Sequence, residues 1–99
     1  MGDYRLTRDA DADLVQMFLY GFESFGVRKA EEYRDGMVRC LALLAENPRL
    51  GRPAEEVGPG TRRHEHAQHV IFYNELPDGL LITAIVHERS MRRVGGPEA

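Results

Sequence analysis

Lysine is nearly absent from this chain. Lys29 stands alone among 13 basic residues, and these are outnumbered by 16 acidic ones, for a net charge of −3. A domain that holds nucleic acid through its phosphates carries a clear basic excess. Direct nucleic-acid binding is therefore not expected, although a local arginine patch can coexist with a negative total. Cysteine is equally scarce: Cys40 is the only one, which excludes an internal disulfide. No apolar run approaches the roughly 20 residues of a membrane span. The opening Met1-Gly2-Asp3-Tyr4-Arg5 lacks the apolar core of a signal peptide. A cytoplasmic protein with no membrane contact is the expectation.

What is present fits one domain over residues 1–99, with 42% hydrophobic and 29% charged residues, as in an ordinary globular chain. Two helical segments between Thr7 and Glu46 organise it. Leu14, Met17, Phe18, Gly21, Phe22 and Phe25 recur at steps of three and four, and so do Ala30, Tyr33, Met37, Cys40, Leu41 and Leu44. Such stripes are buried only against another element. The break at Phe25-Gly26-Val27 is short, so an antiparallel helix hairpin follows. Cys40 lies on the second stripe and reads as a buried structural thiol. Thr7 stands where an N-cap belongs, and Asp9, Asp11 and Asp13 load negative charge at the positive end of the helix dipole. Asn47-Pro48 stops the second helix.

Around the hairpin the period changes to two. Asp3-Tyr4-Arg5-Leu6 predicts a short opening strand. The proline- and glycine-rich stretch from Arg49 to Gly60 predicts a surface loop. Strands are then expected at Thr61 to His66, His69 to Tyr73 and Leu80 to Val86, the last two joined through Leu76-Pro77-Asp78-Gly79. His87 to Arg93 predicts a helical turn, and Gly95 to Ala99 a frayed end. The fold class is α+β in the order β-α-α-β-β-β: a helix hairpin on one face of a small, mainly antiparallel sheet.

Several residue groups bear on function. His64-x-His66, with His69 nearby, places imidazoles on one strand face. Glu65 points to the other face and no carboxylate or thiol completes a ligand set, so exposed histidines without a metal are expected. Arg62, Arg63, Arg89, Arg92 and Arg93 read equally as a carboxylate-recognising cluster or as a solvated basic rim. His87 with Tyr73 offers a general base and a charge stabiliser, but no nucleophile or carboxylate is paired with them. Ser24 and Ser90 lack an activating base. Val15, Leu19 and Tyr20 widen the apolar arc of the first helix beyond one packing face, as a docking surface or as deep seating would require.

Taken in order, these pieces resemble the ParE toxins of the RelE/ParE superfamily, the toxin halves of bacterial type II toxin–antitoxin operons. The resemblance runs from Tyr4 to about Met91. It rests on Tyr4-Arg5-Leu6-Thr7 with Ala10 and Asp13-Leu14, on Tyr20, Phe25-Gly26, Ala30 and Tyr33, and on Arg62-Arg63, His69-Val70-Ile71-Phe72-Tyr73 and Ile85-Val86-His87-Glu88-Arg89. Its most specific piece is Asn47-Pro48-Arg49-Leu50-Gly51-Arg52-Pro53, similar to the family's Pro-x-x-Gly-Arg loop.

The resemblance implies a toxin that inhibits DNA gyrase, blocks replication and is neutralised by a ParD-like antitoxin in a hetero-oligomer. No cofactor or metal and no catalysis of its own are implied. For antitoxin contacts it implies Val15, Leu19 and Phe22 on the hairpin with Arg63 on the sheet; for the target, Arg89, Met91, Arg92 and Arg93. The RelE-like alternative is a ribosome-dependent mRNA endonuclease, for which His87, Arg63 and Arg89 are the candidates. The scarcity of lysine and the lack of a C-terminal tyrosine set this chain apart from that branch.

Overall fold

The computed structural model describes residues 2–93, so the frayed end expected at Gly95 to Ala99 lies outside the described residues. The chain runs through β1 (Asp3–Leu6), α1 (Arg8–Phe25), α2 (Val27–Glu46), β2 (Arg52–Pro53), β3 (Thr61–His66), β4 (His69–Leu76) and β5 (Gly79–His87). A 3-10 turn at Pro48–Leu50 follows α2, and a 3-10 segment at Glu88–Arg93 follows β5. The strands form one sheet in the order β1-β5-β4-β3-β2, with β1 parallel to β5 and every other pair antiparallel.

The helix boundaries follow from local chemistry. The Thr7 hydroxyl accepts from the Ala10 amide at 3.1 Å and satisfies one orphan donor of α1. Gly26 takes φ 91°, a conformation that costs glycine little, and ends α1 while α2 begins at the next residue. The stripe of α2 is seated as expected, with Ala30, Met37, Cys40, Leu41 and Leu44 buried and Tyr33 half-buried. That of α1 is narrower than the expectation. Its inward face is Ala10, Leu14, Met17 and Gly21, while Phe22 and Phe25 are exposed. Gly21 meets Ala30 where the two helices cross. Close approach at that small pair turns this side of α1 inward and leaves Phe22, about 100° further round, facing outward, while Phe25 is the last residue of the helix.

The core lies between the hairpin and the sheet: Met17, Met37, Leu41 and Leu44 pack on Ile71, Tyr73, Leu80, Ile82 and Ile85. Each such large side chain contributes roughly 1.5–3 kcal/mol on burial. Ile82 and Ile85 are three positions apart yet share this face. The register steps from Tyr73↔Ile82 to Phe72↔Ala84, so Thr83 is an extra residue in β5. The far face of the sheet is not bare. Val70 and Phe72 are buried there with Ala54, flanked by Val57, Ala84, Val86 and Met91.

The stretch from Arg49 to Gly60 is thus more than a surface loop. It supplies a fifth strand, β2, and its Gly51 and Ala54 are buried. Sequence period cannot reveal a two-residue strand, because two residues carry no period.

Candidate functional site

Three histidines converge at the end of the sheet where β5 finishes. His66 pairs with His69 across β3 and β4, and His69 with His87 across β4 and β5. The rings of His69 and His87 lie edge to face with centroids 5.1 Å apart. Tyr33 of α2 closes the group from above, its hydroxyl 2.7 Å from His69 Nδ1 and its ring tilted against His66. His64, His66 and His69 are half-buried rather than exposed, a correction to the strand expectation, and Tyr33 packs against the last two. Burial, reinforced by His87 and His66, pushes His69 down to about 4, so its ring is neutral at physiological pH. Burial and then His64 lower His66 as well. Among the described residues no three histidine, cysteine or acidic side chains are placed to hold a metal ion.

Tyr73 does not join His87. Its side chain is fully buried beneath the Asn47–Pro53 loop, where the hydroxyl donates to the Pro48 carbonyl at 2.7 Å and accepts from the Gly51 amide at 2.9 Å. A Cβ on Gly51 would run into that hydroxyl, so glycine is required for the approach. Arg62 Nε donates to the Gly51 carbonyl at 2.9 Å. The loop that gives the sequence its clearest signature is therefore a structural staple, and the Tyr73–His87 pairing is not formed.

The arginines are divided too. Arg62 lies on the helix-facing side of β3. Arg63 lies on the far side, 5.8 Å above the Phe72 ring and bonded to Glu65 at 2.8 Å. Arg52 from β2 meets the same carboxylate at 3.0 Å. Burial pushes Glu65 upward, but the Arg63 bond and charge and the Arg52 charge outweigh it and leave its pKa below the usual range. Arg89 lies past the end of β5, beside His87, whose Nδ1 accepts from the Arg89 amide at 3.0 Å. His87, Arg63 and Arg89 thus do not share one site. Met91 packs on the far-face cluster, and Arg92 and Arg93 close the 3-10 segment.

Val15, Leu19 and Phe22 form an exposed strip on the outer face of α1, at 49%, 44% and 49% of full accessibility, and Phe25 and, on α2, Val27 and Val38 are exposed as well. Tyr20 is exposed on a different side of α1, next to the end of β5. Arg63 and the α1 strip are on opposite faces of the molecule, so a partner contacting both must wrap around it.

Sequence reasoning missed two other residues. Asp13 is a helix-start charge by its position in the sequence, yet its Oδ2 accepts from the Ile85 amide at 3.0 Å and ties α1 to β5. Tyr33 belongs to the α2 stripe by its spacing, although its hydroxyl is also the partner of His69. Neither link has a signal in local spacing, since both join residues far apart in the chain.

Comparison with known proteins agrees with this architecture. The family model for the ParE toxin of the type II toxin–antitoxin system, parDE, matches residues 4–92. A curated Toxin ParE1 of Caulobacter vibrioides is 37% identical over 73 residues, covering 74% of this chain and 76% of that protein. Toxin ParE1 of Mycobacterium tuberculosis is 30% identical over 87 residues, covering 87% and 89%. Among solved structures, a chain of the chromosomal ParDE system from P. aeruginosa superposes with a TM-score of 0.73 at 21% identity, covering 88% of this chain and 96% of that one. The chain belongs to the ParE toxin family of type II toxin–antitoxin systems.

Proposed function

We propose that this chain inhibits DNA gyrase without catalysis of its own and is neutralised by a ParD-like antitoxin. The observation that carries the antitoxin half is the strip Val15, Leu19 and Phe22, three large apolar residues on one face of α1 that nothing in the described chain covers. An amphipathic helix laid along the hairpin buries this strip. An acidic stretch of the same partner, continuing around the sheet, reaches Arg63. The 3-10 segment with Arg89, Met91, Arg92 and Arg93 is the proposed gyrase-facing end, with Met91 anchoring it to the sheet.

The placement of Arg63 on the far face of the sheet, away from His87 and Arg89, speaks against the endonuclease alternative, because acid–base cleavage needs its groups around one phosphate. The test is purified chain added to gyrase and plasmid, with transcripts in a translating extract as the second arm. Loss of supercoiling or accumulation of cleaved plasmid with intact transcripts is expected. Unchanged gyrase activity over a wide excess of the chain overturns the target, and cut transcripts establish the alternative.

A further inference from the structure

A different feature of the fold points to a second binding site, separate from the α1 strip proposed for the antitoxin and sharing only Arg89 with the residues proposed to face the target. β1 pairs with β5 only as far as Leu6↔Ile82, and the chain then leaves the sheet through Thr7 into α1. β5 continues to His87. From Thr83 onward it therefore has β4 on one side and no strand on the other, where the Thr7 hydroxyl bonds the Thr83 carbonyl and Asp13 the Ile85 amide before the edge opens.

The backbone groups on that open side can be assigned. The Ile85 amide bonds Asp13 rather than β4, and the Glu88 amide bonds the Gln68 carbonyl on the β4 side. Antiparallel alternation then turns the Ile85 carbonyl and the His87 amide away from β4. Both face a cleft of about 500 Å³ whose opposite wall is α1. Met17 and Tyr20 give that wall an apolar and aromatic surface, Asp13 and Gln16 add polar groups to it, and Arg89 and Ser90 line the cleft past the end of β5. No acidic side chain pairs with Arg89 among the described residues.

We infer that this cleft is a strand-addition site for an extended peptide bearing a carboxylate. The peptide continues the lane that β1 vacates. One of its amides donates to the Ile85 carbonyl and one of its carbonyls accepts from the His87 amide, which are the main-chain bonds of β-augmentation. At about 3.3 Å per residue, the stretch beyond the Thr7 and Asp13 links, from the Ile85 carbonyl to His87, pairs with roughly two peptide residues. Side chains on one face meet Met17 and Tyr20, and the carboxylate reaches the Arg89 guanidinium and the Ser90 hydroxyl. The exposed strip of Val15, Leu19 and Phe22 is not part of this cleft, so the two surfaces can be tested separately.

The experiment is an amide-resolved NMR titration of the full-length chain with an acetylated Thr-Val-Thr-Val-Glu peptide. Two N-methylated versions, each blocking one edge of the extended peptide, serve as controls. The expected result is shifts concentrated at Ile85, His87, Arg89 and Ser90, which disappear with only one of the N-methylated versions. Arg89→Glu should weaken binding at least about fivefold and favour the peptide with lysine in place of glutamate, a reversal that partial unfolding does not produce. The proposal is overturned by no shifts up to about 5 mM peptide, by equal binding of all three versions, or by shifts confined to the α1 strip.

Discussion

The Tyr73 hydroxyl is bonded twice, to the Pro48 carbonyl and the Gly51 amide, and both partners belong to the loop that carries the family signature. Removing the hydroxyl leaves a buried amide and a carbonyl unsatisfied. Tyr73→Phe should therefore cost about 1–3 kcal/mol in urea unfolding. Gly51→Ala should cost a similar amount, about 1–3 kcal/mol, by overpacking against that hydroxyl. Losses below about 0.5 kcal/mol for both would remove the staple from the account of stability.

His69 is the other residue whose surroundings decide its chemistry. Its ring faces His66 from β3, His87 from β5 and Tyr33 from α2, and it shares the nearby cleft with Asp13 of α1 and with Arg89. The folded chain takes up a proton there only near pH 4, whereas the unfolded chain does so near pH 6.5. The neutral ring's contribution is thus complete above pH 6.5, fades as pH falls towards 4 and is absent below that. The full shift corresponds to roughly 3 kcal/mol, and partial exposure reduces this to about 1–2 kcal/mol. His69→Gln should flatten the decline in stability between pH 7 and pH 5. An unchanged slope would place the sensitivity elsewhere.

At the scale of elements, α1 is held to the sheet at both ends of its first turns. The Thr7 amide donates to the Ile82 carbonyl at 3.0 Å, and two turns later Asp13 receives the Ile85 amide. This second link stands in for the strand that β1 does not supply beyond Leu6. Asp13→Ala should cost about 1–3 kcal/mol, because it strands the Ile85 amide, whereas Asp11→Ala should cost only a few tenths. Chemical denaturation of the two variants compares them directly; equal costs would reduce Asp13 to a helix-start charge.

At the scale of the molecule, one hairpin presents two surfaces. Its inner face closes the core and its outer face displays Val15, Leu19 and Phe22. The double variant Leu19→Glu, Phe22→Glu should keep its melting temperature within about 3 °C, since exposed positions contribute little to folding. It should also lose capture of a co-expressed antitoxin by at least about tenfold, since charge placed at an apolar contact must be desolvated. A variant that still binds as tightly as the parent would move the antitoxin off this face.

Much of this was legible in the residues themselves. The stripe of α2, the Thr7 cap, the glycine break and the two apolar strands follow from period and propensity, which act over a few neighbouring positions. The loop Asn47–Pro53 was recognisable as a signature, though not as a staple, because its partner Tyr73 lies 22 residues beyond Gly51. What the sequence by itself determined is the two helices and the four longer strands, their order and the family they belong to. Only the tertiary structure decided that α1 turns Phe22 and Phe25 outward, that Arg62 and Arg63 part to opposite faces, that Tyr73 and His87 do not meet, and that β5 outruns β1. Each of these depends on rotation, register or strand length relative to a distant element, and local spacing carries no information about a neighbour that folding alone brings close.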